Sequence, residues 1–391
     1  MPIDSAIKAL VPDAQAWRRE IHQNPGILYD VEPTAAFVAE RLQAFGCDEV
    51  KTAIGRTGVV GVINGAKGSS SRAIGLRADM DALPIEEETN LPYRSKFPGK
   101  MHACGHDGHT AMLLGAARRL AQTRDFDGKA VVIFQPAEEG GAGARAMIDD
   151  GLLEKFGIEQ VYGMHNWPGA PVGAFAIRKG SLMASADEIT ITIEGKGGHG
   201  ALPHLCIDPV MVGAQLIMAL QTITSRNVDP LDSSVISITR FQAGTANNII
   251  PQSAWLNGTV RTLKPATRDM VEKRIHEVAA GVAEASGATA RVEYRRGYPP
   301  TINHGAETDF AASIARKVAG DERVDVNAPP TMGSEDFSFM LEARPGAFIF
   351  IGNGDSATLH HPSYDFNDEV LPYGMSYWVE LVETALKPTA N

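Results

Sequence analysis

Cysteine is scarce in this chain: Cys47, Cys104 and Cys206 are the only three in 391 residues. An odd, sparse count excludes a disulfide framework and fits a reducing compartment. No apolar run reaches the roughly 20 residues that span a bilayer. The opening MPIDSAIKAL has no basic stretch followed by an apolar one, so neither a membrane span nor a secretory leader is predicted and a cytoplasmic location is expected. Positive charge is short too. Thirty-six Lys and Arg against 47 Asp and Glu leave a net charge of -11, with the basic residues scattered, which argues against a nucleic-acid partner. No glycine-rich loop leads into Lys-Ser/Thr, since 140–143 lacks both partners and spacing, and this removes the usual nucleotide cradle. A Cys-x-x-Cys half-site of the zinc deaminases is also missing. There is no internal repeat, low-complexity tract or heptad pattern.

What is present describes an ordinary folded protein. The length suits two or three domains, and a hydrophobic fraction of 44% supplies full-sized cores. Residues 12–24 read as an amphipathic helix ended by Pro25, and 33–46 as a second closed by Gly46. Apolar strand-like runs follow at 58–63, 73–76 and 129–135, with a helix predicted over 108–122. Strands and helices in alternation predict an α/β domain on a mostly parallel sheet with helices on both faces.

Near residue 185 the pattern changes, as DEITITIE (187–194) alternates apolar and polar residues. Strand 186–195, helix 209–224, strands 233–242 and 253–263, helix 266–282 and strand 289–296 follow the β-α-β-β-α-β order of a ferredoxin-like domain. The expected organisation is a catalytic domain in two parts, 1–184 and 298–391, interrupted by an inserted dimerisation or lid domain at 185–297. A flexible loop, GKGGHGALP (195–203), carries His199, which could stay at the surface or reach across an interface. The first domain resumes with helices near 306–319 and 373–387 and a strand at 347–351.

MHACGHDGHT (101–110) sets three histidines, a cysteine and an aspartate close together. One glycine separates Cys104 from His106, so both can converge on a metal, with Asp107 alongside; a buried Cys beside a helix-capping Asp is the plainer alternative. More polar groups stand at the carboxyl ends of predicted strands, where open sheets bind ligands. Asp79 and Asp81 follow one such strand, Glu138 and Glu139 another, and His165 and Asn166 a third. The two glutamates also read as the acidic first turn of a helix.

Cys104, His106, Glu139, His165 and His360, with Asp79, Asp107 and Glu138 near them, are more ligands than one catalytic zinc uses. They suit two closely spaced divalent ions and metal-assisted hydrolysis. The competing chemistry makes Cys104 a nucleophile with a histidine base, but leaves Glu138, Glu139, His165 and His360 without a shared purpose.

Several spaced motifs now combine: GLRADMDALP (75–84), MHACGHDGHT (101–110), PAEEGGAGA (136–144), GMHNWP (163–168), GKGGHGALPH (195–204), GTANNIIP (244–251), MGSEDF (332–337) and LHHPSYDFNDEVLP (359–372). On these the chain, from about residue 12 to 387, resembles the amidohydrolase branch of the M20 metallopeptidase family. That group contains hippurate hydrolases, N-acyl-amino-acid amidohydrolases and plant auxin-conjugate hydrolases. The resemblance implies a metal-dependent amidohydrolase with two divalent ions (Mn, Zn, Co or Ni) that cleaves the amide bond of a small-molecule N-acyl amino acid. It implies Cys104, His106, Glu139, His165 and His360 as ligands, the last in preference to His361, and Glu138 as the catalytic base. Cys104 could bridge the ions. His199, with Asn248 beside it, would support the substrate, often in the partner subunit's site, in a homodimer or higher oligomer formed through the inserted domain. Asp79 and Asp107 would support the ligands from behind. Other branches of the family begin with a metal-binding histidine where this chain has Arg77, so Arg77 is not expected to be a ligand. Where the family usually has a Pro-Glu-Leu-Gly-type turn, this chain reads Pro25-Gly26-Ile27-Leu28-Tyr29-Asp30. Tyr29 and Asp30 could line the mouth of the pocket or cap the second helix. A dipeptidase or aminoacyl carboxypeptidase on the same scaffold, an N-acetyl-diaminopimelate-type deacetylase and a non-catalytic binding protein are the alternatives.

Overall fold

The computed structural model describes residues 3–388. In chain order the first elements are α1 (Ser5–Gln23), α2 (Glu32–Ala44), β1 (Glu49–Ile54), β2 (Gly58–Asn64), β3 (Ala73–Asp79), α3 (His106–Thr123), β4 (Lys129–Gln135), α4 (Gly143–Asp149), β5 (Gln160–Pro168) and β6 (Phe175–Ala176). Then come β7 (Asp187–Glu194), α5 (Pro209–Arg226), β8 (Ser234–Ala243), β9 (Ser253–Thr262), α6 (Pro265–Ala285) and β10 (Thr289–Arg296). The chain closes with α7 (Gly305–Ala319), β11 (Val324–Asp325), β12 (Gly346–Gly354) and α8 (Leu371–Ala385).

It divides into two compact units. The larger comprises Met1–Gly180, Ile302–Pro329 and Asp336–Asn391, the smaller Ser181–Thr301 and Pro330–Glu335. The expected boundaries at 184 and 297 therefore move by a few residues, and Pro330–Glu335 joins the smaller unit, an assignment sequence periodicity could not reveal in a short loop. Among the described residues no helix is long and apolar enough to cross a membrane.

The larger unit carries an eight-stranded sheet in the order β1-β2-β4-β3-β5-β12-β6-β11. Its centre, β4-β3-β5-β12, is parallel throughout, while β1 and β2 add antiparallel strands at one side. Burial on both faces explains the unbroken apolar sequences: all seven residues of β3 are buried, as are six of the seven in β4. Helix α1 begins at Ser5, not at residue 12. Asp4 caps it by accepting the Ala6 N–H, and Ile7, Leu10, Ala14, Arg18, Ile21 and His22 recur at helical spacing on its buried side. Pro12, the expected first residue, lies within this helix. The weakly patterned strand β1, with most of its residues exposed or half-buried, lacked the apolar run that would have revealed it.

The smaller unit holds a four-stranded antiparallel sheet, β8-β9-β7-β10, with the predicted β-α-β-β-α-β order. Alternation in β7 buries Ile189, Ile191 and Ile193 against Val212, Leu216 and Leu220 of α5 and Val271 and Ile275 of α6. The 195–203 segment is more ordered than expected. Gly198–His199 pairs with Ile249–Ile250 as a two-stranded ribbon. One buried anion organises the end of this unit: the Asp187 carboxylate accepts Arg268 Nε–H at 2.9 Å, the Tyr294 hydroxyl at 2.7 Å and the Gly297 N–H at 3.1 Å. Since Arg268 is also buried, Asp187→Ala would strand a cation. The expected loss, read from urea melts, is about 3–5 kcal/mol.

Candidate metal centre

Three strand ends and one helix start build the site in the larger unit. Helix α3 begins with the ligand candidates themselves, and two glycines let it approach its neighbours. Gly105 has φ 88°, and a Cβ there would lie 2.2 Å from Asn166 Nδ2. At Gly108 a Cβ would stand 2.3 Å from the Phe366 ring. The CGHDG spacing thus reflects close packing as well as chemistry.

Cys104, His106 and His165 offer ligand atoms that all lie within 4.8 Å of one another, and so do Cys104, Glu139 and His360. The two triads share Cys104. Its Sγ is 3.3 Å from His165 Nε2, and His360 Nε2 is 3.3 Å from Glu139 Oε1. His106, Glu138 and Glu139 form a third such group. His106 Nδ1 faces the Asp81 carbonyl at 2.8 Å, and His165 Nδ1 faces the Asn166 carbonyl at 2.7 Å. A carbonyl only accepts, so both rings donate from Nδ1 and turn the lone pair of Nε2 inward, as metal-ligating histidines do. His106 Nε2 is buried without a hydrogen-bond partner, and Glu139 Oε1 is buried with the His360 ring beside it. Inward lone pairs of this kind fit a divalent cation. One thiolate, three imidazoles and a carboxylate suit Zn, Mn, Co or Ni.

Electrostatics points the same way. Burial alone would lower the His106 imidazole, yet Asp79, Asp81 and Glu139 outweigh it and push it up to about 10. The site is an anionic cage. Burial, then Glu139 and Glu138, raise the Cys104 thiol well above its ordinary value, while burial and then the neighbouring His109 press His165 well below its own. A thiolate–imidazolium pair needs the opposite shifts, so the nucleophilic-cysteine chemistry is disfavoured.

The supporting groups divide into two sets. Burial would raise the Asp79 carboxyl, but His106, Arg77 and His109 hold it well below its usual value. It faces His109 Nδ1 at 2.6 Å, and the opposite nitrogen of that ring accepts the Asn166 N–H at 2.9 Å. Asn166 in turn donates to the Cys104 carbonyl at 2.6 Å and accepts the Tyr364 hydroxyl at 2.6 Å. Asp107 points away from the ligands, to His22 Nδ1 at 2.8 Å and Arg18 Nη1 at 3.4 Å.

Asp81 has a role the sequence reading did not assign. Its two carboxylate oxygens accept the N–H groups of Glu138 and Glu139, each at 3.0 Å. The glutamates are therefore held as a pair in a loop, which replaces the helix-first-turn reading; the next helix starts only at Gly143. Asp81 was visible as a strand-end carboxylate, but nothing in its spacing announced which amides it would meet. His360 lies in a candidate ligand group with Cys104 and Glu139, whereas His361 Nδ1 accepts the nearby Ser363 N–H. Tyr29 donates to the Gly141 carbonyl at 2.7 Å, and α2 has no side-chain cap, so Asp30 does not serve as one. His199 and Asn248 are exposed neighbours in the smaller unit, where the Gly200 N–H donates to the Asn248 carbonyl at 2.8 Å.

Comparison with known proteins agrees with this geometry. Residues 75–384 match the family model described as Peptidase family M20/M25/M40. The chain belongs to that family. With the ligand cluster at the sheet edge, this M20 chain is a metal-dependent hydrolase. The hippurate hydrolase of Campylobacter jejuni is 46% identical over 370 residues, covering 95% of this chain and 96% of that protein. The N-acetyl-L-cysteine deacetylase of Bacillus subtilis is 43% identical, covering 90% of this chain and 83% of that one. Among solved structures the Bacillus subtilis YXEP protein, a dinuclear metal binding peptidase from the M20 family, aligns with a TM-score of 0.86 at 36% identity, covering 97% of this chain and 99% of that one.

His22 gives the M20 unit a pH-sensitive link. Burial lowers its imidazole, but the hydrogen bond and charge of Asp107, helped by Glu87, push it up to about 9. Charged His22 therefore stabilises the fold fully below its ordinary value of 6.5 and loses that contribution as pH rises through about 9. The stability gap between wild type and His22→Gln, from urea melts, is expected to shrink from pH 7 to pH 10.

Proposed function

We propose that this chain hydrolyses the amide bond of N-acyl amino acids, with hippurate-like compounds as the central substrate class. The observation that carries the reading is the pair of ligand triads sharing Cys104, set beside the adjacent carboxylates Glu138 and Glu139. The benzoyl and acetyl groups implied by the names of the two relatives support an acyl-amino-acid substrate, and leave the preferred acyl group open to a panel. Hydrophobic pockets separate acyl groups by only about 1–3 kcal/mol per methylene.

In this reading Cys104, His106, Glu139, His165 and His360 would hold two divalent ions. Bound there, the ions polarise the scissile carbonyl and make water a stronger acid. Glu138 takes the proton of the attacking water and delivers it to the amide nitrogen as the C–N bond breaks and the C–O bond forms. Asp81 fixes both glutamate amides, so base and ligand stay in register. Asp79 and Asp107 support the ligands through His109 and the backbone of α3. His199 and Asn248 serve the substrate in this reading; both are exposed, and the Ala201 N–H donates to His199 Nδ1 at 3.1 Å. Glu138→Gln is expected to keep metal content near wild type and to lower kcat by about 10²–10⁴-fold. Loss of metal in that variant would mean the two glutamates have been assigned in reverse. Assaying an N-acyl-amino-acid and dipeptide panel with Mn, Zn, Co and Ni in turn identifies acyl group and metal together. In the same assay His199→Ala and Asn248→Ala are expected to lose activity at unchanged metal content.

The smaller unit is the proposed dimerisation surface. Met218, Leu231, Leu205, Ile249 and Met211 are exposed large apolar side chains on it, and β8 is a sheet edge whose second half is exposed. Light scattering is expected to give a dimer or higher oligomer for wild type and a smaller species for Met211→Lys/Met218→Lys; a monomeric wild type rejects this surface. The three unpaired cysteines are consistent with a cytoplasmic location.

A further inference from the structure

Glu138 and Glu139 stand in a loop with left-handed backbone near both of its ends. Ala137 and Ala142 both adopt left-handed backbone, at φ 55° and 54°, which non-glycine residues avoid unless their surroundings impose it. A Cβ on Gly143 would lie 1.6 Å from the Pro136 carbonyl oxygen, so the two ends of the loop nearly touch. Asp81 grips the middle of this curl through the two glutamate amides. The ends are gripped by another carboxylate. Asp336, fully buried, accepts Gln135 Nε2–H at 2.8 and 3.0 Å on its two oxygens and the Ala144 N–H at 2.9 Å. Gln135 ends β4 immediately before the loop, and Ala144 lies in the first turn of α4 immediately after it.

Arg77 joins this anchor to β3. Its Nη2 donates to Asp336 at 3.1 Å, its Nε to Gln135 Oε1 at 2.8 Å and its Nη1 to Asp79 at 2.7 Å. One guanidinium thus ties the strand that carries Asp79 to the loop that carries the glutamates. Only a planar fork makes these three bonds at once.

We propose that Asp336, with Arg77 as its counter-charge, is a positioning residue for hydrolysis: it pins both ends of the 135–144 loop and so sets where the Glu138 and Glu139 carboxylates stand. Asp336 acts through the loop, without touching substrate. The proposal rests on the amidohydrolase reading for the role of Glu138, but the anchoring itself is measurable without turnover.

The test combines kinetics, metal analysis and hydrogen exchange on the full-length, metal-loaded protein. Asp336→Asn turns one accepting oxygen into a donor that faces other donors. It is expected to lower kcat by about 10–100-fold, as loss of a group that orients the site does, with KM near wild type, metal content retained and faster exchange confined to 135–144. Gln135→Glu added to Asp336→Asn returns a carboxylate to the opposite side of the same hydrogen bonds and restores much of kcat and protection. Arg77→Lys keeps the charge, loses the fork and should loosen the same segment, which keeps the idea testable if Asp336→Asn does not fold. Wild-type kcat and unchanged exchange in 135–144 would overturn the proposal. So would a rise in exchange spread over the whole sheet with no rescue by Gln135→Glu, because that marks a general stabilising role. Local loosening in a protein that turns over no member of the substrate panel would leave the anchor standing and reject the amidohydrolase reading instead.

Discussion

A guanidinium buried to 1% exposure stays charged, so its burial must be offset by anions, and Asp79 and Asp336 do this for Arg77. That constraint reaches through the larger unit. Asp79 belongs to β3 and faces His109 on α3, while Asp336 holds the junction of β4 with the loop before α4. Removing any one member would leave a buried charge or amide without its partner, so strand ends, helix start and loop are set together. Buried ion pairs seldom add much net stability compared with apolar packing, but they tie elements into one geometry, and the tasks proposed for Glu138 and Glu139 depend on where those carboxylates stand.

The same logic bears on the ligand role proposed for Cys104. Cys104 sits among Glu138, Glu139 and Asp79, in a buried pocket that opposes ionisation of sulfur. A cation reverses the balance, because it neutralises the carboxylates and favours the thiolate in one step. Binding of metal and ionisation of Cys104 would thus be linked, and the carboxylates that disfavour Cys104 as a nucleophile would favour the ligand role proposed for it.

Much of this was legible beforehand. The long apolar strands β3 and β4, the alternating strand β7 and the helices α5 and α6 announce themselves by periodicity, because burial on two faces, one face or one stripe leaves different patterns. Strand β1 and the true start of α1 did not, since the first is mostly exposed or half-buried and the second hides behind Pro12. Among the site residues, Cys104, His106, Glu139, His165 and His360 were all named from residue type, motif and position, and the fold does bring their ligand atoms together. The groups that orient them were less visible. Asn166 and Asp81 act through a backbone carbonyl and backbone amides, and Tyr364 through the Asn166 side chain, and such pairings carry no signature in a list of side chains.

By itself, then, the sequence determined the class of fold, the β-α-β-β-α-β insertion and the chemistry of the donor set, because these depend on local periodicity and on which atoms can bind a metal. Tertiary structure alone decided that Cys104 is common to two ligand triads, that Asp107 turns toward His22 and Arg18, and that Asp336, roughly 200 residues away in the chain, secures the loop bearing the two glutamates. Such pairings follow from how strands order themselves in the sheet. Strand order is fixed by long-range packing, which leaves no spacing rule in the chain to read.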